Sequence, residues 1–227
     1  MSMGYLVNMS AVIAIIISYF LGSIPSGFIF SKISGKEIFK IGWRKSSGSN
    51  VFRYVGVWQG VATGLGDVGK GFLAVWLAQN FGLSSSFQAL CGAAAVTGNN
   101  WSVFLKFAGG RGIGTFLGAF LAFSPKLLGF SIIPFALLSL IWNASVGTFL
   151  FLITSLSLAI YFGQFQTIGV LTLVSLAPIF IKRLSPIGEI FPVKEKLALI
   201  RNRLIFDNDE LCLNLRIMRL FRGLTWW

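Results

Sequence analysis

The sequence predicts an all-α integral membrane protein with about seven transmembrane helices. Of its 227 residues, 55% are hydrophobic and only 11% are charged, and the mean hydropathy is +0.79, whereas an average soluble domain has about 25% charged residues. Apolar segments recur between turns and charges, and a bilayer span needs roughly 20 apolar residues. Because backbone polar groups must be satisfied internally in hydrocarbon, these segments are expected to be helices.

Seven apolar segments are separated by turn or charge signals. In chain order they lie near residues 5–30, 54–81, 86–105, 112–124, 127–142, 146–162 and 165–181. The first has no basic leader and no small-residue cleavage site, so we expect a retained span rather than a secretory signal. The fourth is short, and its boundary with the fifth rests on Ser124, Pro125 and Lys126. Six or eight helices therefore remain alternatives to seven.

The basic residues predict the orientation. Residues 32–53 carry six of them, the turn after the third segment carries Lys106 and Arg111, and the chain from residue 182 onward carries nine. With seven spans, these regions fall on one side of the membrane. The positive-inside rule then places them and the C-terminus in the cytoplasm, with the N-terminus outside.

The chain divides into a transmembrane domain at residues 1–190 and a basic tail at residues 191–227. At the end of the tail, residues 215–227 set arginines on one helical arc and apolar residues on another, with two tryptophans last. This pattern is typical of a helix lying in the membrane interface. We therefore expect the tail to be cytoplasmic or interfacial.

Composition excludes several kinds of chemistry. The sequence has no histidine, which removes the commonest general base and a common metal ligand. Cys91 and Cys212 form neither a disulfide framework nor a zinc pattern, and we expect no metal and no cofactor. The basic residues are spread over membrane loops, so nucleic acid is not an expected partner. Asp67 is the one carboxylate within an apolar segment.

The first two of four polar patches surround a proline and a hydroxyl-rich loop. Pro25 follows Gly22-Ser23-Ile24 inside the first segment, where it breaks or kinks the helix and frees backbone groups for a ligand. An ordinary kink is the alternative. Residues 45–53 are rich in hydroxyl groups, including that of Ser49, and also contain Asn50 and Arg53. This combination suits phosphate recognition. A solvated loop is the alternative here.

The other two patches are an intramembrane charge pair and a glycine-rich turn. Asp67 and Lys70 lie one helical turn apart on one face, and such charges are usually functional, although a structural ion pair is the alternative. The turn contains glycines 109, 110, 112 and 114, flanked by Lys106 and Arg111. Positive φ angles there let successive N–H groups converge on an anion; helix packing alone is the alternative.

These patches, in this order, resemble the bacterial acyl-phosphate:glycerol-3-phosphate acyltransferases of the PlsY type. The family motifs Gly-Ser-Ile-Pro, Thr-Asn-Val-Leu-Arg and Asp-x-x-Lys-Gly are similar to residues 22–25, 49–53 and 67–71. A Gly-His-x-Trp/Phe-Pro-Val-Phe run followed by Phe-x-Gly-Gly-Lys-Gly-Val-Ala-Thr aligns with residues 98–115. Its Ser-Leu-Gly and its final Ile-x-Arg-Leu with a glutamate resemble residues 145–147 and 181–189.

The resemblance implies a seven-helix enzyme of the cytoplasmic membrane. Such enzymes transfer an acyl group from acyl phosphate to the 1-hydroxyl of glycerol-3-phosphate, giving lysophosphatidate for phospholipid synthesis, so the expected partners are these two substrates and membrane lipid. We predict that the chemistry is carried by Arg53, Lys70, Arg111 and Asn99. We predict that the substrates are bound by Ser23, Ser49, Asn50, Asp67, Lys106, Gly109, Gly110, Gly112 and Ser145.

The chain departs from the family pattern at polar positions. Asn99 stands for a histidine, Ser102 for a proline, and Gly42-Trp43-Arg44-Lys45 for Gly-Ser-Gly-Asn. Acyl phosphate is already activated, so positioning it against the acceptor hydroxyl contributes on the order of 7–11 kcal/mol, and a substrate phosphate oxygen can accept the proton. The alternative is a non-catalytic membrane protein that binds a phospholipid or polyol phosphate and serves as partner or regulator of a membrane complex. A small-solute transporter ranks last, because no repeated halves are visible.

Overall fold

The computed structural model describes residues 3–141, 144–185, 187, 190, 191 and 196–205; for residues 3–8 and 140 it describes the backbone alone. The described chain is helical. Its helices are α1 Met3–Ser23, α2 Ser26–Ile33, α3 Gly48–Tyr54, α4 Val57–Asn80, α5 Ser85–Asn100, α6 Ile113–Phe123, α7 Pro125–Ile141, α8 Ala144–Tyr161, α9 Val170–Leu184 and α10 Lys196–Ile205. A π-helical turn, Phe165–Gly169, leads directly into α9.

Each of the seven predicted apolar segments coincides with helical structure. Four stretches are long and apolar enough to cross a membrane, and they are Met9–Ile33, Val57–Asn80, Ala144–Tyr161 and Phe165–Leu184. The other three segments form α5, α6 and α7, with 16, 11 and 17 residues. At 1.5 Å per residue, α6 is only about half as long as the hydrocarbon core is thick. A multi-pass membrane protein follows from these helices.

The structure changes three details of the predicted organisation. The first segment is two helices, because the chain leaves helical geometry at Ile24 and Pro25. The third segment ends at Asn100 rather than at residue 105, because the Ser102 N–H donates to Ala108 O and turns the chain. The predicted loop at residues 32–53 contains α3, a short helix that packs on α4.

Glycines allow two pairs of helices to approach closely. A side chain at Gly22 would collide with the Ala95 carbonyl, and one at Gly98 with the Tyr19 carbonyl, so α1 and α5 touch backbone to backbone. Gly71 and Gly118 make the same kind of contact between α4 and α6, each against a carbonyl of the other helix. Small residues at helix crossings are how membrane helices gain dispersion contacts without a hydrophobic driving force.

The remaining interior is apolar and aromatic. Phe116 and Phe120 of α6 lie with their ring centroids 5.6 and 6.3 Å from that of Phe151 of α8, and all three side chains are fully buried. Helix α5, rich in alanine and glycine, packs against α1, α4, α6 and α9. This arrangement fixes the ends of α4, α6 and α8 relative to one another.

Helix α10 belongs to the predicted tail but packs on the transmembrane domain, against α8 and α9. Arg203 of α10 donates to Leu184 O at 2.9 Å, and Arg183 of α9 donates to Leu204 O at 3.2 Å. Each arginine therefore caps the end of the other helix, where a cation is favoured by the helix dipole. The predicted interfacial helix at residues 215–227 lies outside the described residues, as does Glu189.

Candidate active site

A cavity of about 930 Å³ opens where several helix ends meet. It is bordered by the N-terminal parts of α3, α4, α6 and α8 and by side chains from α7 and α9. Its polar lining includes Ser47, Ser49, Arg53, Asp67, Arg111 and Arg183. Its apolar lining includes Phe52, Val61, Ile113, Phe135 and Ala144. A cavity with both linings can hold an amphiphile that carries an anionic group.

Three guanidinium groups give the cavity its positive charge. Arg53 comes from α3, Arg111 from the turn before α6, and Arg183 from the end of α9. The backbone at the N-terminus of α6, Gly112 to Gly114, forms part of the same wall. Guanidinium groups bind phosphate bidentately, and helix N-termini favour anions. The cavity is therefore suited to a phosphorylated ligand.

Aromatic rings position these arginines. The Arg111 guanidinium carbon lies 4.5 Å from the ring centroid of Trp43, and that of Arg53 lies 5.8 Å from the same ring. Arg183 lies 5.6 Å from the ring centroid of Phe149 and is 2% exposed. All three contacts fall within the range of cation–π attraction. The charges are thus held in place before a ligand arrives.

Asp67 is the acidic group that lines the cavity, and Lys70 compensates its charge. Lys70 Nζ lies 2.9 Å from Asp67 Oδ1 and donates to Asn99 Oδ1 at 2.6 Å and to Ile24 O at 3.0 Å. An ammonium group has three protons, so these three acceptors use all of them. The predicted pairing of Asp67 with Lys70 is confirmed. Of these residues only Asp67 lines the described cavity.

The proline break supports this buried network. The Ile24 carbonyl, freed from regular helical bonding at Pro25, is an acceptor for Lys70. The break expected at Pro25 is present. The carbonyl that it frees, however, bonds to Lys70 of α4 and not to a ligand as expected. Asn99 is buried, and its Nδ2 has no hydrogen-bond partner among the described residues. Asn99 occupies the position at which the acyltransferase pattern has histidine, so an amide group lies there, beside the cavity wall.

The glycine-rich turn differs from the predicted anion nest. Of its four glycines, only Gly112 has a positive φ, +77°, while Lys106 and Phe107 have φ of +51° and +63°. The Gly110 N–H donates to Asn99 O at 2.9 Å, and Gly109 O accepts from the Ser46 N–H at 3.2 Å. The expected positive φ angles are therefore absent at Gly109, Gly110 and Gly114, and the Gly110 N–H is used by the end of α5.

Four more predicted site residues lie away from the cavity lining. Ser23 is buried between α1 and the turn, where its Oγ donates to Tyr19 O and its carbonyl accepts from Ser102. Asn50 is fully buried and bonds the backbone of the loop before α3. Lys106 is exposed, and Ser145 is buried in the first turn of α8.

The structure therefore brings together Arg53, Arg111, Ser49, Asp67 and Gly112 of the predicted set. Sequence reasoning omitted Arg183 and Trp43 from that set. The signal for Arg183 was its place in a basic pair at the end of the last apolar segment. Trp43 gave no signal of its own, because an aromatic residue in a basic loop is ordinary.

Known proteins resemble this chain in sequence. The family described as glycerol-3-phosphate acyltransferase matches residues 12–191. A glycerol-3-phosphate acyltransferase of Prochlorococcus marinus strain MIT 9515 is 43% identical over 117 residues, which are 51% of this chain and 59% of that protein. A glycerol-3-phosphate acyltransferase of Prochlorococcus marinus subsp. pastoris is 37% identical over 146 residues, which are 62% of this chain and 74% of that protein. The chain thus spans about three fifths of the length of the first of these relatives.

Solved structures resemble the fold. A crystal structure of PlsY, an integral membrane glycerol 3-phosphate acyltransferase, in its glycerol 3-phosphate form has a TM-score of 0.70 and 29% identity, covering 81% of this chain and 92% of PlsY. The lysophosphatidic acid form of PlsY has a TM-score of 0.68 and 28% identity over the same shares. The likeness extends over most of both chains.

Proposed function

The chain belongs to the glycerol-3-phosphate acyltransferase family, and from this premise we propose that it transfers an acyl group from acyl phosphate to the 1-hydroxyl of glycerol-3-phosphate. The product is lysophosphatidate, an intermediate of phospholipid synthesis. The relatives are named for glycerol-3-phosphate, and acyl phosphate as donor comes from the resemblance to the PlsY type.

One observation carries the proposal, namely a single cavity lined both by three arginines and by apolar side chains. An acyl phosphate has an anionic head and a hydrocarbon chain, and glycerol-3-phosphate is a small dianion. Arg53, Arg111 and Arg183 supply positive charge for two phosphoryl groups. Phe52, Val61 and Phe135 supply an apolar surface for the hydrocarbon chain of the acyl phosphate.

The reaction needs no histidine. The acceptor hydroxyl oxygen attacks the carbonyl carbon of the acyl phosphate, the bond from that carbon to the phosphate oxygen breaks, and phosphate leaves with the electron pair. The hydroxyl proton passes to a phosphate oxygen. Arg53 and Arg111 stabilise the charge that develops on the leaving phosphate and on the carbonyl oxygen. Lys70 and Asn99 do not line the cavity. Their hydrogen bonds hold Asp67 and the break in the first helix in position.

The same proposal includes seven crossings of the cytoplasmic membrane, with the N-terminus outside and the C-terminus in the cytoplasm. The three shorter helices α5, α6 and α7 lie side by side with the four long ones. The cavity lies at the end of the helices from which residues 32–53 and 101–112 emerge. Since those loops carry most of the basic residues of the membrane domain, the site faces the cytoplasm.

The experiment is an assay of the purified full chain in detergent with palmitoyl phosphate and glycerol-3-phosphate, measuring phosphate and lysophosphatidate together. We expect both products in equal amounts. Phosphate without lysophosphatidate would indicate another acceptor. Binding of glycerol-3-phosphate with no product above a detergent blank would instead support the non-catalytic alternative.

A further inference from the structure

The loop before α3 is built around Trp43. The backbone N–H of Trp43 donates to Asn50 Oδ1 at 3.0 Å, and Asn50 Nδ2 donates to Lys45 O at 2.8 Å and to Ile41 O at 3.3 Å. Asn50 itself is fully buried. One side chain thus fixes the backbone on both sides of the tryptophan, so the indole has a defined position relative to α3.

Backbone conformation and packing fix the ring further. Gly42 and Arg44, on either side of Trp43, have φ of +56° and +52°. A side chain at Gly42 would collide with Asn50 and with the ring of Tyr54, and that ring meets the indole edge-on with a centroid distance of 6.0 Å. A positive φ at a non-glycine residue such as Arg44 is strained and persists when the surroundings impose it. The strained backbone of Arg44 therefore lies directly beside Trp43 in this loop.

The indole contacts two of the three arginines of the cavity. Arg111 lies 4.5 Å and Arg53 5.8 Å from its ring centroid. Two guanidinium groups near one ring repel each other, and the negative face of the ring offsets that repulsion. Attraction to the ring limits how far each guanidinium group can move.

We propose that Trp43 is a positioning residue that holds Arg53 and Arg111 together as a preformed phosphate-binding pair. The inference rests on the proposed function in that the bound group is the phosphate of an acyltransferase substrate. Neither arginine is close to the other in sequence, since one lies in α3 and the other before α6. Both contact the ring of Trp43, so this side chain constrains their relative placement.

Preorganisation predicts a particular kinetic signature. Without the indole, the two arginines must be ordered when the substrate binds, and that ordering weakens binding. We expect Trp43→Leu to raise the KM for glycerol-3-phosphate by roughly tenfold, from the size of a cation–π contact converted to affinity. Trp43→Phe keeps an aromatic face and should stay within about threefold of the parent.

The test uses the purified full chain in detergent. Steady-state kinetics give KM and kcat, and melting temperature in the presence and absence of inorganic phosphate gives a readout that needs no turnover. The matched control is Trp58→Leu, because Trp58 is 70% exposed at the start of α4. We expect phosphate to raise the melting temperature of the parent, of Trp43→Phe and of Trp58→Leu, and to have a much smaller effect on Trp43→Leu.

A second comparison separates positioning from general stability. In an Arg111→Ala background, Trp43→Leu should add less to the KM than it does in the parent, because one of the two arginines that the ring holds together is gone. Equal and independent effects of the two substitutions would overturn the proposal, as would an unchanged KM and phosphate response in Trp43→Leu. If Trp43→Leu does not fold, Trp43→Phe decides, since a tenfold rise in its KM would exclude aromatic stacking as the cause. An inactive parent whose phosphate response is lost in Trp43→Leu would remove the proposed reaction and still support the role of Trp43.

Discussion

Asn99 Oδ1 accepts a 2.6 Å hydrogen bond from Lys70 Nζ, which joins the end of α5 to the middle of α4. The same ammonium group is paired with Asp67 and bonded to Ile24 O. Lys70 therefore links α4, the end of α5 and the break between α1 and α2, while Asp67 lines the cavity. Because Lys70 neutralises Asp67, the charge of the three arginines remains available to an anionic ligand.

Replacement of Lys70 by methionine should destabilise the fold. It leaves the buried Asp67 carboxylate uncompensated and removes two further hydrogen bonds. Removing one partner of a buried pair costs about 3–5 kcal/mol, so we expect a markedly lower melting temperature in detergent. Lys126→Met, at an exposed position in α7, is the control and should change stability by less than about 0.5 kcal/mol. Equal melting temperatures for the two variants would contradict the structural role.

Arg111→Ala should weaken substrate binding with little effect on folding. Loss of a charged hydrogen-bonding group is worth about 1.5–3 kcal/mol, so we expect the KM for glycerol-3-phosphate to rise by roughly 10- to 100-fold. Lys106→Ala is the matched control from the same turn, because Lys106 is exposed and lies away from the cavity. A larger effect from Lys106 than from Arg111 would contradict the role of Arg111 and favour the predicted role of Lys106 in substrate binding.

The hydropathy pattern was enough to locate the apolar helices, because each apolar segment must be helical in a bilayer. The break at Pro25 and the pairing of Asp67 with Lys70 were also predictable, since both depend on neighbours within one turn. The other two acceptors of Lys70 were not, because they lie 29 and 46 residues away in sequence. Contacts of that range depend on how the helices pack.

The same limit applies to the cavity. Arg53 and Arg111 were predicted from local basic patterns, but their common contact with Trp43 requires the loop before α3 to fold over the turn before α6. The glycine-rich turn shows the same limit. Its composition permits positive φ angles at four glycines, and only the folded backbone shows that Gly112 alone adopts one.

Close helix contact predicts opposite effects of two alanine substitutions in α4. A side chain at Gly71 would meet the Thr115 carbonyl of α6, so Gly71→Ala should destabilise the protein by about 1–3 kcal/mol. Nothing lies within 4 Å of a side chain built at Gly69, so Gly69→Ala should be neutral or stabilising by up to about 1 kcal/mol. Melting temperatures of both variants in one detergent test the pair, and similar losses would argue against the α4–α6 contact.

The proposed topology predicts which positions can be labelled from outside the cell. After replacement of Cys91 and Cys212 by serine, Lys126→Cys should react with a membrane-impermeant thiol reagent in intact cells. Lys36→Cys should react only after the membrane is permeabilised. Both side chains are exposed in the structure, so access to the reagent is decided by the side of the membrane. The reverse pattern would place the cavity on the outer face.

Arg203→Met should loosen the end of α9 and, through it, the cavity. Arg203 donates to Leu184 O, while the neighbouring Arg183 donates to Leu204 O and lines the cavity. Losing a buried hydrogen bond to a carbonyl costs about 1–3 kcal/mol, so we expect a lower melting temperature. We also expect a higher KM, because Arg183 loses part of its support.

Arg201→Met is the matched control for that substitution. Arg201 lies two residues earlier in α10 with an exposed side chain, and its replacement should change neither quantity. A lower melting temperature with an unchanged KM in Arg203→Met would make α10 a purely stabilising element. A rise in KM confined to Arg203→Met would instead show that a helix beyond the family match supports the cavity, because Arg183 is the link between them.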